Sequence, residues 1–219
     1  MHLTKTDIAQ LGKIKRLNII NSITGIKPAN LIGTVSRDGQ TNLAIFSSVV
    51  HLGSNPPLLG LILRPVGEVR RHTYENLLDN GYYTINYVHP DFIEQAHYTS
   101  AKFEKAESEF AACGFTEEFL AGFTAPFVKE SQVKIGLKYL QSIPIEANNT
   151  QLIIGQIEHV FVPDAVVDAK GHIDLEGAHA VGISGLNSYY QLKKIGQFPY
   201  ARKQELPSFP PTKSTDEKE

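Results

Sequence analysis

Two stretches of this sequence hold the residue types that can recognise a ligand. Asn42, Ser47 and Ser48 interrupt TNLAIFSSVV, a run otherwise suited to a buried strand. Hydroxyl and backbone N–H groups at the end of such a strand can hydrogen-bond a flat, acceptor-rich ring, with Val49 and Val50 as its apolar border. Arg64 ends the next apolar run, and Arg70, Arg71, His72 and Thr73 gather where a helix begins. Free N–H groups at a helix N-terminus, a hydroxyl and a guanidinium together suit a phosphate. Each charge-assisted hydrogen bond contributes about 1.5–3 kcal/mol, so several would hold it firmly. The same residues have structural uses: Thr73 as a helix cap, the arginines as solvated charges, the serines as a bend, Asn42 as partner to a turn. The residue types alone leave both uses open.

Other chemistries lack their signatures. The eight histidines form no HExxH or other local metal spacing. Gly182-Ile183-Ser184-Gly185 is one residue too short for a GxSxG nucleophile elbow. Neither a GxxxxGK[ST] loop nor a strand-linked GxGxxG occurs, so no triphosphate or Rossmann dinucleotide site is indicated. Cys113 is the single cysteine, which excludes an internal disulfide and reads as a small core residue. No catalytic side chain and no metal are expected; a bound organic molecule would carry the reactivity.

The 219 residues suit one large core, and a net charge of −2 argues against a nucleic-acid partner. Lys13, Lys15 and Arg16 read as a solvated helix face, as do Glu104, Glu107 and Glu109 with Lys102 and Lys105. The beginning, MHLTKTDIAQLGKIKRL, lacks the apolar stretch of a secretion signal, and no run of about 18 apolar residues suggests a spanning helix. The expectation is a cytoplasmic protein without a membrane partner, one domain over residues 1–206 and a flexible tail over 207–219.

Ile8, Leu11, Ile14, Leu17 and Ile20 recur at helical spacing, which predicts one helix from Thr6 to about Ile23, capped near Gly25. LIGTVS and TNLAIFS flank Arg37-Asp38-Gly39-Gln40, a strong hairpin signal. LLGLIL predicts a strand buried on both faces. Thr73–Leu78 predicts a short helix with Thr73 as its N-cap and Gly81 beyond its end. YYTINYV, VKIGL, SIPIEA and QLIIGQIEHVFV predict further strands, the last pair turning at Asn148-Asn149. Phe110, Phe115, Phe119, Phe123 and Phe127 are expected in the core. Many strands with helices gathered in a few places imply a mainly β, antiparallel barrel or sandwich.

The series LIGTVSRDGQTNLAIFSSVVHLGSNPPLLGLILRP, RRHTYENL, GYYTINYV and QAHYTSAKFEKAESEFAACGF resembles the flavin reductase-like, flavoredoxin-type proteins. PFVKESQVKIGL, QLIIGQIEHVFVP and SGLNSYY extend the resemblance, which runs from about Arg16 to Tyr200. It implies an FMN-binding split barrel, a six-stranded antiparallel Greek-key barrel with peripheral helices, which forms a homodimer with FMN held noncovalently near the interface. By position, Asn42, Ala44, Phe46, Ser47, Ser48 and Val49 would line the isoalloxazine ring, with Thr34 on the neighbouring strand. Arg64, Thr73 and Arg71 would hold the phosphate. His97 and Ser100 would approach the ribityl-phosphate side, and Tyr189 would cover the flavin.

The activity so implied is hydride transfer from NADH or NADPH to FMN, with electrons passed to an acceptor that the sequence does not name. An FMN-binding electron carrier without its own NAD(P)H activity would use the same residues. A cofactor-free barrel for protein interaction is the third reading.

Overall fold

A computed structural model describes residues 1–65 and 71–209. Arg70, and most of the tail expected over 207–219, lie outside the described residues. The chain begins with helices α1 (Lys5–Gln10) and α2 (Lys13–Ser22), then strands β1 (Lys27–Pro28), β2 (Asn30–Val35), β3 (Thr41–Phe46), β4 (Val50–Ser54) and β5 (Pro57–Leu63). Helix α3 (His72–Asn80) leads into β6 (Tyr82–Tyr87); α4 (Ile93–Tyr98) and α5 (Glu109–Ala112) follow. The remainder is β7 (Glu117–Glu118), β8 (Phe127–Val128), β9 (Lys134–Ile145), β10 (Thr150–Phe161), β11 (Val181–Ser184) and β12 (Ser188–Gln191).

The main sheet has seven strands in the order β3-β2-β6-β9-β10-β5-β4, and every pairing is antiparallel. Strands β2, β3, β5, β6, β9 and β10 supply the six expected of the barrel, and β4 adds a seventh at one edge. The predicted hairpin forms as expected, with Gly39 at φ 83° in its turn, a conformation that glycine adopts without steric cost. VKIGL and SIPIEA are not two strands but parts of the continuous twelve-residue β9, which pairs β10 across register shifts. A small sheet, β1-β11-β12, packs beside the start of β2, where Ala29 N–H donates to Val181 O at 3.0 Å.

Apolar burial divides into two principal clusters on the two faces of β2 and β3. Ile32, Leu61, Leu63, Leu77, Tyr83, Ile85, Leu137 and Ile153 fill the barrel, with Phe46 and Val49 against them. Leu31, Leu43, Phe92, Phe110, Cys113, Val181 and Ile183 fill the other cluster, with Ile45 and Tyr189 against it. The barrel is tight at Gly155, where a Cβ would come within 2.1 Å of the Tyr83 hydroxyl. Only glycine lets that ring enter. LLGLIL is less enclosed than expected, since Leu58, Leu59 and Ile62 are half-buried.

The predicted N-terminal helix is two helices, because Leu11 is extended and Gly12 begins α2. Neither buries a residue; Ile14 and Ile23 are 70% and 71% exposed. Gly25 does take a left-handed conformation, at φ 77°. Phe110, Phe115, Phe123 and Phe127 are buried, whereas Phe119 is exposed. Among the described residues, no helix is long and apolar enough to cross a membrane, and no group of three His, Cys, Asp or Glu residues could hold a metal ion.

Candidate functional site

Strand β3 is an edge strand of the main sheet, paired only with β2. In an antiparallel strand the backbone groups of alternate residues face alternate sides. Leu43 N–H donates to the Glu109 carboxylate at 2.9 Å, so the backbone groups of Leu43 and Ile45 face away from β2, and Ser47 follows in the bend beyond the strand. No backbone hydrogen bond engages the Ser47 or Ser48 N–H among the described residues. Past Leu43, the strand therefore offers a short row of outward donors and acceptors. The burial along it changes at the same place: Thr41 to Leu43 are buried, and Ala44 to Val49 are half-buried.

The Ser-Ser bend is pinned. Ser48 Oγ accepts from Ile62 N–H at 3.0 Å and donates to Ile62 O at 3.1 Å, standing in for a residue of the ladder between the end of β3 and β5. Its hydroxyl is thus engaged, and the group it leaves for a ligand is its N–H. Val49 and Phe46 supply an apolar flank that continues into the barrel core. Ala44 lies between Asn42 and Phe46 on the same strand face, where its small side chain leaves room.

At the other end of β3, Asn42 is not the partner of the nearby turn. Its Nδ2 donates to Thr73 Oγ1 at 3.1 Å and lies 3.4 Å from Thr34 Oγ1, which also receives Asn76 Nδ2 at 3.1 Å. All four residues are buried. Sequence reasoning missed Asn76; its position one helical turn after Thr73 was the available signal. Thr73 is not the N-cap of α3. That position falls to Arg71, whose side chain makes no cap hydrogen bond. The first N–H groups of α3 thus lack a side-chain cap, and Arg71 Nε is buried without a hydrogen-bond partner among the described residues. A buried unpaired guanidinium nitrogen beside uncapped helix N–H groups matches the needs of a phosphate.

Thr34, Asn42 and Thr73 are therefore brought together, with Arg71 adjoining Thr73. Arg64 belongs to the opposite end. It follows Ile62, the partner of Ser48, and is exposed. Its charge reaches Lys27, whose ammonium is held below the usual lysine value first by burial and then by Arg64. Lys27 Nζ donates to Asn21 O and Gly185 O at 2.9 and 3.0 Å. The arginine expected at the phosphate thus stands with the Ser-Ser bend.

His97 and Tyr189 form a pair, with Nδ1 and the hydroxyl 3.0 Å apart and the rings at 87°. They line an open crevice of about 540 Å³ with Tyr98, Asn187 and the acidic Asp91 and Glu94. Burial pushes the Tyr189 hydroxyl up to about 12, so it stays protonated at neutral pH. Tyr189 packs in the same cluster as Ile45, which sets the crevice beside β3. Ser100 is exposed and donates its hydroxyl to His97 O at 2.7 Å.

Residues 26–175 match the model of the flavin reductase like domain. The chain belongs to that family. This membership makes it a flavin-related protein of oxidoreductase type. A split-barrel protein of Shewanella frigidimarina NCIMB 400, provisionally assigned as a flavin reductase, is 49% identical; the match covers 92% of this chain and 100% of that one, with a TM-score of 0.88. Flavoredoxin of Desulfovibrio vulgaris (Miyazaki F) is 25% identical over 83% of this chain and 93% of its own, with a TM-score of 0.67. An uncharacterized protein of Aquifex aeolicus is 26% identical over 172 residues, 78% of this chain and 86% of its own. The split barrel of this flavin reductase-like chain is thus the family's fold.

Proposed function

We propose that the protein binds FMN along the open part of β3 and serves as an NAD(P)H-dependent oxidoreductase. One observation carries this reading: the outward backbone groups of Ile45, with those of Ser47 in the bend beyond, lie between an apolar flank at one end and the buried, unpaired Arg71 Nε at the other. A flavin needs the first for the hydrogen-bonding edge and apolar border of its ring, and an anion site for its phosphate. The site fits that order of groups.

When bound, FMN supplies acceptance of hydride from NADH or NADPH and onward delivery of electrons. The protein's share is placement. Ser48 fixes the bend against β5, Ile45 and Ser47 present backbone groups to the ring, and Arg71 with the α3 N-terminus holds the phosphate. Arg64 and Lys27 put positive charge near the ring end, where it would favour electron-rich states. Tyr189, neutral at working pH, closes one side with His97. None of these roles needs a side chain as nucleophile.

Freshly purified protein is expected to show flavin absorbance, or to acquire it on adding FMN. Anaerobic NADH or NADPH should then bleach that absorbance. A holoprotein bleached by neither donor is an electron carrier, and a chain that takes up no FMN refutes the reading. We further propose that two copies associate through the exposed apolar residues of α2 and its exit, Ile14, Ile20, Ile23 and Ile26. Light scattering should give twice the chain mass.

A further inference from the structure

Glu109 is a buried carboxylate that the roles above do not use. Its sequence neighbours Glu104 and Glu107 are exposed, as a solvated face requires, but Glu109 is only 5% exposed. The reason lies outside its own helix. α5 packs against the outer edge of β3, and Glu109 Oε2 accepts the outward N–H of Leu43 at 2.9 Å. Burial raises its carboxyl above the ordinary value, while the Leu43 and Glu109 N–H groups pull it back. No salt bridge reaches it among the described residues.

One outward residue earlier, the Thr41 side chain is held as well. Thr41 Oγ1 bonds Ser108 Oγ at 2.6 Å and donates to Glu117 Oε1 at 2.5 Å. Ser108, Glu109 and Glu117 thus hold the first half of β3, and no hydrogen bond from these residues reaches beyond Leu43 among the described residues. An unpaired edge invites any extended chain or planar hydrogen-bonding molecule to pair with it. Covering its first half leaves one register for whatever binds the second half.

We infer that Glu109 is a positioning residue: by occupying Leu43 N–H it ends the open edge, so that a bound ring meets the backbone at Ile45 and Ser47, and it holds α5 closed on β3. The inference rests on the FMN reading for the identity of the ring. The carboxylate also adds negative charge at the border of the site, which would discourage the flavin phosphate from sliding toward α5 and leave it to Arg71.

Leu43 amide exchange in the apo chain and FMN titration of the same samples test it with E109A and E109Q. E109A should speed Leu43 exchange and weaken FMN binding by about tenfold to a hundredfold, the range for a hydrogen bond to a charged group. It should also shift the flavin's visible band, which mere loss of stability does not do. E109Q keeps an acceptor for Leu43 N–H and should restore slow exchange and most of the affinity. Should E109A fail to fold, E109D, one methylene too short to reach Leu43, is read in its place. Wild-type uptake of FMN decides the underlying reading, and the variants decide this one. An E109A chain with wild-type affinity and band position, or an E109Q chain no better than E109A, overturns it.

Discussion

At the Asn42 end of β3, a side-chain network adds to the ladder with β2: a buried carboxamide links two threonines, and a second carboxamide from α3 shares one of them. At the Ser47–Ser48 end, backbone groups are left open and a single hydroxyl ties the bend to β5. Asn42 and Ser48 are six positions apart, at most about 20 Å of chain. The difference shows how one strand serves two purposes. Buried side-chain networks are costly to disturb and fix where α3 begins. Half-buried backbone is already in place and can address a ring without depending on side-chain identity.

The proposed function puts anion binding at the Asn42 end, and Arg71→Ala is its most direct test. That change should weaken FMN by about tenfold to a hundredfold and leave riboflavin, which has no phosphate, unaffected. Arg64→Ala should instead weaken FMN and riboflavin equally, by about threefold, as expected of an exposed charge. Fluorescence titration with both flavins reads the two variants together. An Arg64→Ala chain selective against FMN would move the phosphate to the other end of the strand.

Asn42→Leu removes the donor to Thr73 and Thr34 and should lower stability by about 2 kcal/mol in urea unfolding, since it leaves a buried hydroxyl short of a partner. Ser48→Ala should cost less, about 1 kcal/mol, because the bend is only half-buried and water can replace the hydroxyl. The reverse order would mean that the bend, not the network, anchors β3.

The smallest effect is expected at alkaline pH. The Tyr189 hydroxyl is raised from 10.0 to about 12 by burial. Its protonated form is the one the fold favours, so its contribution is complete below pH 10 and is lost as pH rises toward 12. Tyr189→Phe should flatten part of the stability loss in that window, and partial exposure of the ring makes the change modest. Unfolding midpoints at pH 9 and pH 11 give the comparison.

Ser47 and Ser48 could be picked out from the sequence because they break an apolar run, and Gly39 because an Asp-Gly pair between two alternating segments demands a hairpin. Glu109 could not. Its neighbours in the chain are those of a solvated helix, and its burial comes from a strand 66 residues earlier. Thr73 was misread as a cap for the same reason: local rules assign threonine to the start of a helix, and Asn42, far away in sequence, decides otherwise. Phe119, Ile14 and Ile20 show the opposite case, apolar residues that stay exposed among the described residues.

The sequence by itself determined the mainly antiparallel character, the hairpin at Gly39, the helix ending at Gly81 and the family of the chain, because strand alternation, turn glycines and ordered motifs are local properties. Only the tertiary structure decided which backbone groups of β3 face outward, that Arg64 stands by the Ser-Ser bend while Arg71 adjoins Thr73, and that Glu109 takes the Leu43 N–H. Those facts depend on strand register and on helices docking from distant parts of the chain, and a free-energy difference between packings leaves no mark on any single short stretch of residues.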